Sequence, residues 1–475
     1  MEKIKKHINI KLISFVAVTV ILLIYSAIVN VTEYTHDCLG YWKTADTMWT
    51  YGEGSIITLT NFPETFRGYF LYFVVMLFKH AFGIVFGNGY WGWRFLSAIS
   101  TSAAVTLALP YFFDVEHDKK RLFIGQAVLL VLILYFWGDL IQKPGSDWIA
   151  ACFFIYAVAF LKKMFLEEKK WLSCIYGLIV GACMYAAYNT RVVYMYAIII
   201  ALFCMLVYEG KRKFTGIVAY VGIFLGMLII AFPQMTINHK YTGEWSPFVN
   251  TDQAYNYQVD LESKQLYWGL YLPRYETYDG DYELYPEAGV HFEDKVGLEL
   301  IEREGLDSDH ISFKTILYLF VKYPGDVIGL YMRHMASVMV PMWYKNCIID
   351  MYTSKLIRIT LAIWIWIIAA VAFLENYKFE KKDIMKYVLT ISMIITSLMQ
   401  CAGAIEIRFM IMCFMLLYYY ITCMVDYKAL WESLKGRRIK ILLVGLVVYF
   451  LWLTVLGDIL TMPVHKVLLI NDYLG

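Results

Sequence analysis

Charge is scarce in this 475-residue chain: Asp, Glu, Lys and Arg make up only 17% of it, against about 25% in soluble domains. Hydrophobic residues make up 60%, and the mean hydropathy is +0.54. A large soluble enzyme is excluded and a membrane protein is expected. Paired-cysteine motifs are missing too. Cys38, Cys152, Cys174, Cys183, Cys204, Cys347, Cys401, Cys413 and Cys423 form no C-x-x-C, and most lie in apolar runs. That argues against a disulfide framework or a zinc site. The chain also lacks a P-loop, a nucleotide-binding G-x-G-x-x-G context and an H-E-x-x-H motif, so no nucleotide cofactor, ATP use or nucleic-acid partner is expected. There is no internal repeat and no low-complexity tract. The net charge of +2 says nothing about partners, because the charges are segregated by membrane side.

What is present is a succession of apolar runs. The first, Leu12 to Asn30, has no charge and is long enough to cross a bilayer, which takes roughly 20 apolar residues. Lys3, Lys5, Lys6 and Lys11 precede it, which keeps the N-terminus in the cytoplasm by the positive-inside bias. No small-x-small cleavage site follows, so the run reads as a retained anchor. Basic clusters at His117–Arg121, Lys162–Lys170, Lys211–Lys213, Lys378–Lys386 and Lys428–Lys440 read as cytoplasmic. The connections Gly138–Asp147, Asn189–Arg191, Met235–Lys355 and Ala404–Arg408 read as outer-face. An all-α polytopic membrane protein of about 11–12 transmembrane helices is expected. Its parts would be residues 1–235, with a first outer loop at 32–66; an outer-face region at 236–355; and C-terminal helices at 356–475.

One step of the topology stays open. Three apolar segments, near 67–86, 93–113 and 122–141, separate Asp37 from Asp147. Three full crossings would put the two acids on opposite faces. The 67–86 segment carries Lys79 and His80, which is costly in lipid. It is therefore short, re-entrant or partly interfacial, or else one loop is assigned to the wrong side. In the 236–355 region, Ile311 to Met342 mixes apolar residues with Lys314, Lys322, Arg333 and His334. This predicts one or two interfacial helices broken at Tyr323-Pro324-Gly325.

Asp37, in Y-T-H-D-C-L-G-Y, lies just past the first span and before an aromatic, amphipathic loop. A carboxylate there points to chemistry at the membrane surface. Further signals follow in order: N-F-P-E-T-F-R-G-Y (Asn61 to Tyr69), G-W-R-F-L-S-A (Gly92 to Ala98), K-P-G-S-D-W-I-A (Lys143 to Ala150) and E-I-R-F (Glu406 to Phe409). This order resembles the GT-C superfamily of integral-membrane glycosyltransferases, of the protein mannosyltransferase and aminoarabinose transferase type. The resemblance covers most of residues 1–425 through short, degenerate motifs. It departs from the family where Cys38 stands in place of a second acid, and in lacking a proline-rich ending after the late Arg-aromatic.

The resemblance implies a GT-C-like bundle that transfers a sugar, with inversion, from a polyprenyl-phosphate donor. The acceptor would be an envelope lipid, polysaccharide or protein at the outer face of a bacterial cytoplasmic membrane. Asp37 would be the general base for the acceptor hydroxyl; its plain alternative is a loop acid pairing with Lys43. Asp147 could orient the acceptor, position Asp37 or ligate a divalent metal, or join Ser146 in an N-cap worth on the order of 1 kcal/mol. Whether a metal is needed is left open. Arg408 is the first choice for the departing phosphate, because a guanidinium fork matches phosphate oxygens. Glu406 would be its partner or a separate ligand. Arg191 and Arg67 are further candidates, and each arginine could equally snorkel to headgroups. Glu64, beside Pro63, would hold the entry to the cleft, contact the sugar or stabilise a turn. His36 would tune Asp37 or be a plain polar side chain, and Arg333–His334 would face headgroups. The many Tyr and Trp residues suit sugar stacking, and equally an aromatic belt. Two other function classes remain. A surface-polysaccharide polymerase or ligase would rely on loop arginines such as Arg274 or Arg303. A transporter or flippase would show repeats and mid-membrane polar residues.

Overall fold

The computed structural model describes residues 2–34, 36–51, 62, 67–115, 119–209, 215–249, 261–276, 290–308, 310–340, 355–376, 383–403, 405–460 and 464–466. In chain order the helices begin with α1 (Glu2–Val29), α2 (His36–Tyr51), α3 (Phe70–Phe86) and α4 (Tyr90–Ala103). Helix α4 runs through a π-helical turn, Ala104–Ala108, into α5 (Leu109–Phe113). Then come α6 (Lys119–Gln142), α7 (Ser146–Leu166), α8 (Lys170–Thr190), α9 (Tyr194–Glu209), α10 (Thr215–Thr242) and α11 (Leu261–Tyr271). Strands β1 (Arg274–Glu276) and β2 (Val290–Phe292) precede α12 (Lys295–Glu304), α13 (Phe313–Lys322), α14 (Pro324–Val338), α15 (Lys355–Asn376) and α16 (Ile384–Leu398). The chain continues with α17 (Ile411–Tyr419), α18 (Tyr427–Ser433), α19 (Arg438–Leu460) and β3 (Val464–Lys466). The strands form one small antiparallel sheet in the order β1-β2-β3. Contacts divide the chain into two compact units, residues 1–250 with 379–396, and residues 251–378 with 397–475.

Among the described residues, ten helices are long and apolar enough to cross a membrane. They are α1, α4–α5 read as one span, α6, α7, α8, α10, α15, α16, the 407–424 segment around α17, and α19. The apolar part of α9 described, Tyr194–Cys204, and α3 are shorter. A polytopic helical protein is what these elements make.

The first unit has two chemically distinct ends. At one end Arg94, opening α4, donates to the Asn30 side chain (2.9 Å) and the Val31 carbonyl (3.0 Å), just past α1. Asn30 takes a left-handed backbone, φ 48°, which an asparagine tolerates. Trp93 and Ser97 of α4 both donate to the Ile141 carbonyl at the end of α6. At the other end buried Lys162 donates to the Tyr111 and Phe112 carbonyls and, at 2.5 Å, to Asp114. Lys386, opening α16, reaches the same carboxylate at 3.2 Å.

These levels place the ends of α3, the segment on which the sequence left the topology open. Phe70, the first residue of α3, bonds to Asn189 at the end of α8. Past its far end, Tyr90 stacks on Trp42 of α2 (4.9 Å) and meets Tyr34 (5.7 Å). Both ends of α3 thus lie at the Arg94 end of the unit, and the segment does not traverse it. Its 17 residues also stand at the lower limit of what a crossing takes. Lys79 is met there by Asp46 (2.6 Å), the Trp42 carbonyl (3.0 Å) and the Trp42 ring (4.0 Å).

The tightest helix pair is α8 with α10. Gly177 and Gly181 on α8 face Gly222 and Gly226 on α10, and a Cβ on any of them would overlap a carbonyl oxygen of the opposite helix. Interlocked small-x-x-x-small spacing allows this backbone approach in apolar surroundings. In the second unit, α11 to α14 share a core of Leu266, Leu270, Leu300, Ile316, Leu319 and Leu330. The expected break at Tyr323-Pro324-Gly325 separates α13 from α14.

Gly181→Leu or Gly226→Leu should abolish the folded, monodisperse protein in detergent. Gly457→Ala, where no atom lies within 4 Å of a new Cβ, should leave the unfolding midpoint unchanged or raise stability by about 0.5–1 kcal/mol. Equal tolerance at all three positions would contradict the packing described.

Candidate functional site

Helix α2 carries the first candidate acid. Its buried face is Cys38, Tyr41, Trp42, Ala45 and Met48, the i, i+3, i+4, i+7 spacing of a surface helix. Asp37 lies in its first turn, where the helix dipole favours a negative charge. Arg67 reaches it from the loop before α3. Its Nη2 donates to Asp37 Oδ1 at 2.6 Å and its Nη1 to the Tyr41 hydroxyl at 3.0 Å. The guanidinium carbon stands 5.3 Å from the Tyr41 ring centre. Burial works against the Arg67 charge, but Asp37, Tyr41 and Tyr72 outweigh it and raise its pKa above an already high ordinary value. About a quarter of each side chain stays open, 26% for Asp37 and 25% for Arg67.

Asp147 occupies the first turn of α7 and forms an ion pair with Arg191, the residue that ends α8. This pair is more enclosed, with Asp147 3% and Arg191 17% exposed. The expected Ser146–Asp147 cap is corrected: Gly145, with an extended backbone, precedes the helix, and no side chain caps it. Asp147 is thereby already helical and turned toward Arg191.

Two close contacts join these pairs. A Cβ built on Gly145 would lie 3.8 Å from Cys38 Sγ, so the residue after Asp37 sits against the residue two before Asp147. Gly68, next to Arg67, lies flush on Asn189, two residues before Arg191, leaving no room for a Cβ. An amide ladder fixes the second contact. Asn189 Oδ1 accepts from Phe70 N (2.8 Å), and its Nδ2 donates to Gln234 (2.9 Å). Gln234 in turn donates to Asn238 (2.9 Å), which holds the Ser246 and Phe248 carbonyls. Both acids and both arginines are thus gathered at the Arg94 end of the first unit.

Glu406 and Arg408 form a third pair, within the second unit. Arg408 Nε and Nη2 donate to the two Glu406 oxygens, each at 2.9 Å, and both side chains are buried. This two-pronged geometry is the strong form of an Arg–carboxylate bond. Each of the three candidate acids described has therefore taken one of the three candidate arginines. Glu64 and Pro63 lie outside the described residues, and of His36 only the backbone is described, as the first residue of α2. Arg333 and His334 differ from expectation: Arg333 clamps the buried Asp294 at 2.5 and 2.9 Å, and His334 is fully buried. A buried carboxylate needs such a partner more than a headgroup does. Among the described residues, no three His, Cys, Asp or Glu side chains group as a metal site would require.

Tyr41, Asn189 and Gln234 were not anticipated. An uncharged polar residue at the end of an apolar run gives no cue to what it holds. Compared with models of known families, with characterised proteins and with solved structures, the chain matches none.

The two pairs should respond differently to truncation. Arg191→Ala strands a buried carboxylate and should cost about 3–5 kcal/mol, largely recovered in the double variant with Asp147→Asn. Arg67→Ala should cost about 1 kcal/mol or less. Unfolding midpoints in detergent measure both, and the reverse order would contradict the burial difference.

Proposed function

We propose that the chain is a membrane glycosyltransferase of GT-C type. It would move a sugar from a polyprenyl-phosphate donor to an envelope acceptor, with Asp37 as the general base. The observation that carries this reading is the joining of the Asp37–Arg67 and Asp147–Arg191 pairs through Cys38 on Gly145 and Gly68 on Asn189. Charge supports the placement in the membrane. Lys162 and Lys386 lie at the opposite end of the same unit, among the basic clusters that mark a cytoplasmic side. The paired acids would then face outward.

In the reaction the acceptor oxygen bonds to the anomeric carbon as the bond from that carbon to the phosphate oxygen breaks. The departing phosphate keeps the electron pair, and the acceptor proton passes to Asp37. Arg67 would serve the departing phosphate and also hold the base. At rest its charge is balanced by Asp37 at 2.6 Å. When Asp37 takes the proton, that charge is released as the phosphate becomes more negative. Asp147, enclosed and held by Arg191, serves to position the site. Arg408, buried against Glu406, is a weaker choice for phosphate than Arg67.

Asp37→Asn should lower transfer of labelled sugar from a polyprenyl-phosphate donor in membranes by about 10²–10⁴-fold, with the protein still inserted and monodisperse on extraction. Full activity of that variant removes the assigned base. Loss of activity in Arg274→Ala or Arg303→Ala, with Asp37→Asn unaffected, would favour a polymerase or ligase. Movement of labelled lipid-linked sugar without covalent transfer would favour a flippase.

A further inference from the structure

We propose that α13 and α14 are inserted into the lipid bilayer, α14 tilting inward from the surface, with acyl chains covering their open apolar face. This is independent of the sugar-transfer reading. At 100° per residue, α13 divides into three arcs. Ile316 and Leu319 are buried in the core of the second unit. Lys314, Thr315, Tyr318 and Lys322 form a polar arc, in which Lys322 donates to Glu304 (2.9 Å) and to the Tyr318 hydroxyl (2.7 Å). The third arc, Phe313, Leu317, Phe320 and Val321, is apolar and exposed. Helix α14 repeats the pattern, with Val327 and Leu330 buried, and Ile328 and Met332 exposed on the other side. A helix pair that already has its core on one face has no reason to keep a second apolar face in water.

Two tryptophan hydrogen bonds set its depth. Arg437 meets Glu375 at 2.9 Å, so the end of α15 and the start of α19 share one level, marked by Arg437, Arg438 and Lys440. Trp452 of α19 donates to the Ala336 carbonyl at 3.1 Å. Trp452 stands about 21 Å beyond Arg438 at the helical rise of 1.5 Å per residue. Trp366 of α15 donates to the Met339 carbonyl at 2.9 Å, and it stands only about 14 Å from Glu375 by the same measure. Both levels fall inside a hydrocarbon core about 30 Å thick. The chain at the end of α14 therefore descends alongside two helices long enough to span, from the outer part of that core toward its middle. On α19, which Trp452 ties to α14, Val447, Phe450 and Leu451 are likewise open. One lipid surface would cover both. The polar arc of α13, where Lys322 and the Tyr323 hydroxyl both meet Glu304, is the rim that headgroups and water would meet.

The test places a photo-reactive phenylalanine analogue at 321, 332, 450 or 303 of the full chain. Each variant is reconstituted in nanodiscs of labelled phosphatidylethanolamine and phosphatidylglycerol and irradiated. Lipid adducts at 321 and 332 should come within about two-fold of those at 450, on the open face of the α19 span, and Arg303, exposed on α12, should give background only. Adduct yields at 321 and 332 no higher than at 303, whatever the yield at 450, would overturn the proposal. So would adducts at those positions with a second copy of the chain in place of lipid.

Discussion

Backbone against backbone, α8 on α10, is the contact on which the candidate site stands. Four glycines remove the side chains that would hold the helices apart. Only at that separation can Asn189 of α8 reach Gln234 of α10, and only from there can Asn189 receive the chain entering α3. Arg67 and Arg191 owe their places to the same join, one through Gly68 and the other through the end of α8. In an apolar surrounding, where helix association gains little from water exclusion, close packing and amide hydrogen bonds are the forces left to do this.

The enclosed cations described in the first unit obey one constraint: each is met by a partner of matching character. Arg94 has Asn30 and a carbonyl, Lys79 has Asp46 and an indole, and Lys162 has two carbonyls and Asp114. The acid–arginine pairs follow the same rule but differ in access. Asp147 is enclosed, whereas Asp37 keeps an opening. A site that must admit a substrate and also hold its shape needs one of each.

Much of this was legible in the sequence. Long uncharged runs fix the spanning helices, and the isolated acids and arginines stand out because so few charges surround them. The pairing was less legible. Arg67, Arg191 and Arg408 each follow an aromatic or polar connection, and nothing local tells which acid each will meet. Asp37 and Asp147 are separated by three apolar runs, and α3 had to be recognised as a helix that does not cross before they could share an end. Lys79 hinted at that, through its cost in lipid, without saying that Asp46 would receive it. The association of residues 379–396 with the first unit had no local sequence signal, since contacts such as Lys386 on Asp114 join parts far apart in the chain.

The Asp147–Arg191 pair has a consequence for how the chain is built. Arg191 sits with Asp147 at the end of the first unit opposite Lys162 and Lys386. Synthesis runs from the N-terminus, so α7 delivers its carboxylate before α8 brings the guanidinium. The later charge thus arrives where its counter-ion already waits, and that end of the hairpin closes with its two charges matched. Assembly acquires a direction from the order of two residues in the gene-encoded string, which no reversal of the pair would preserve.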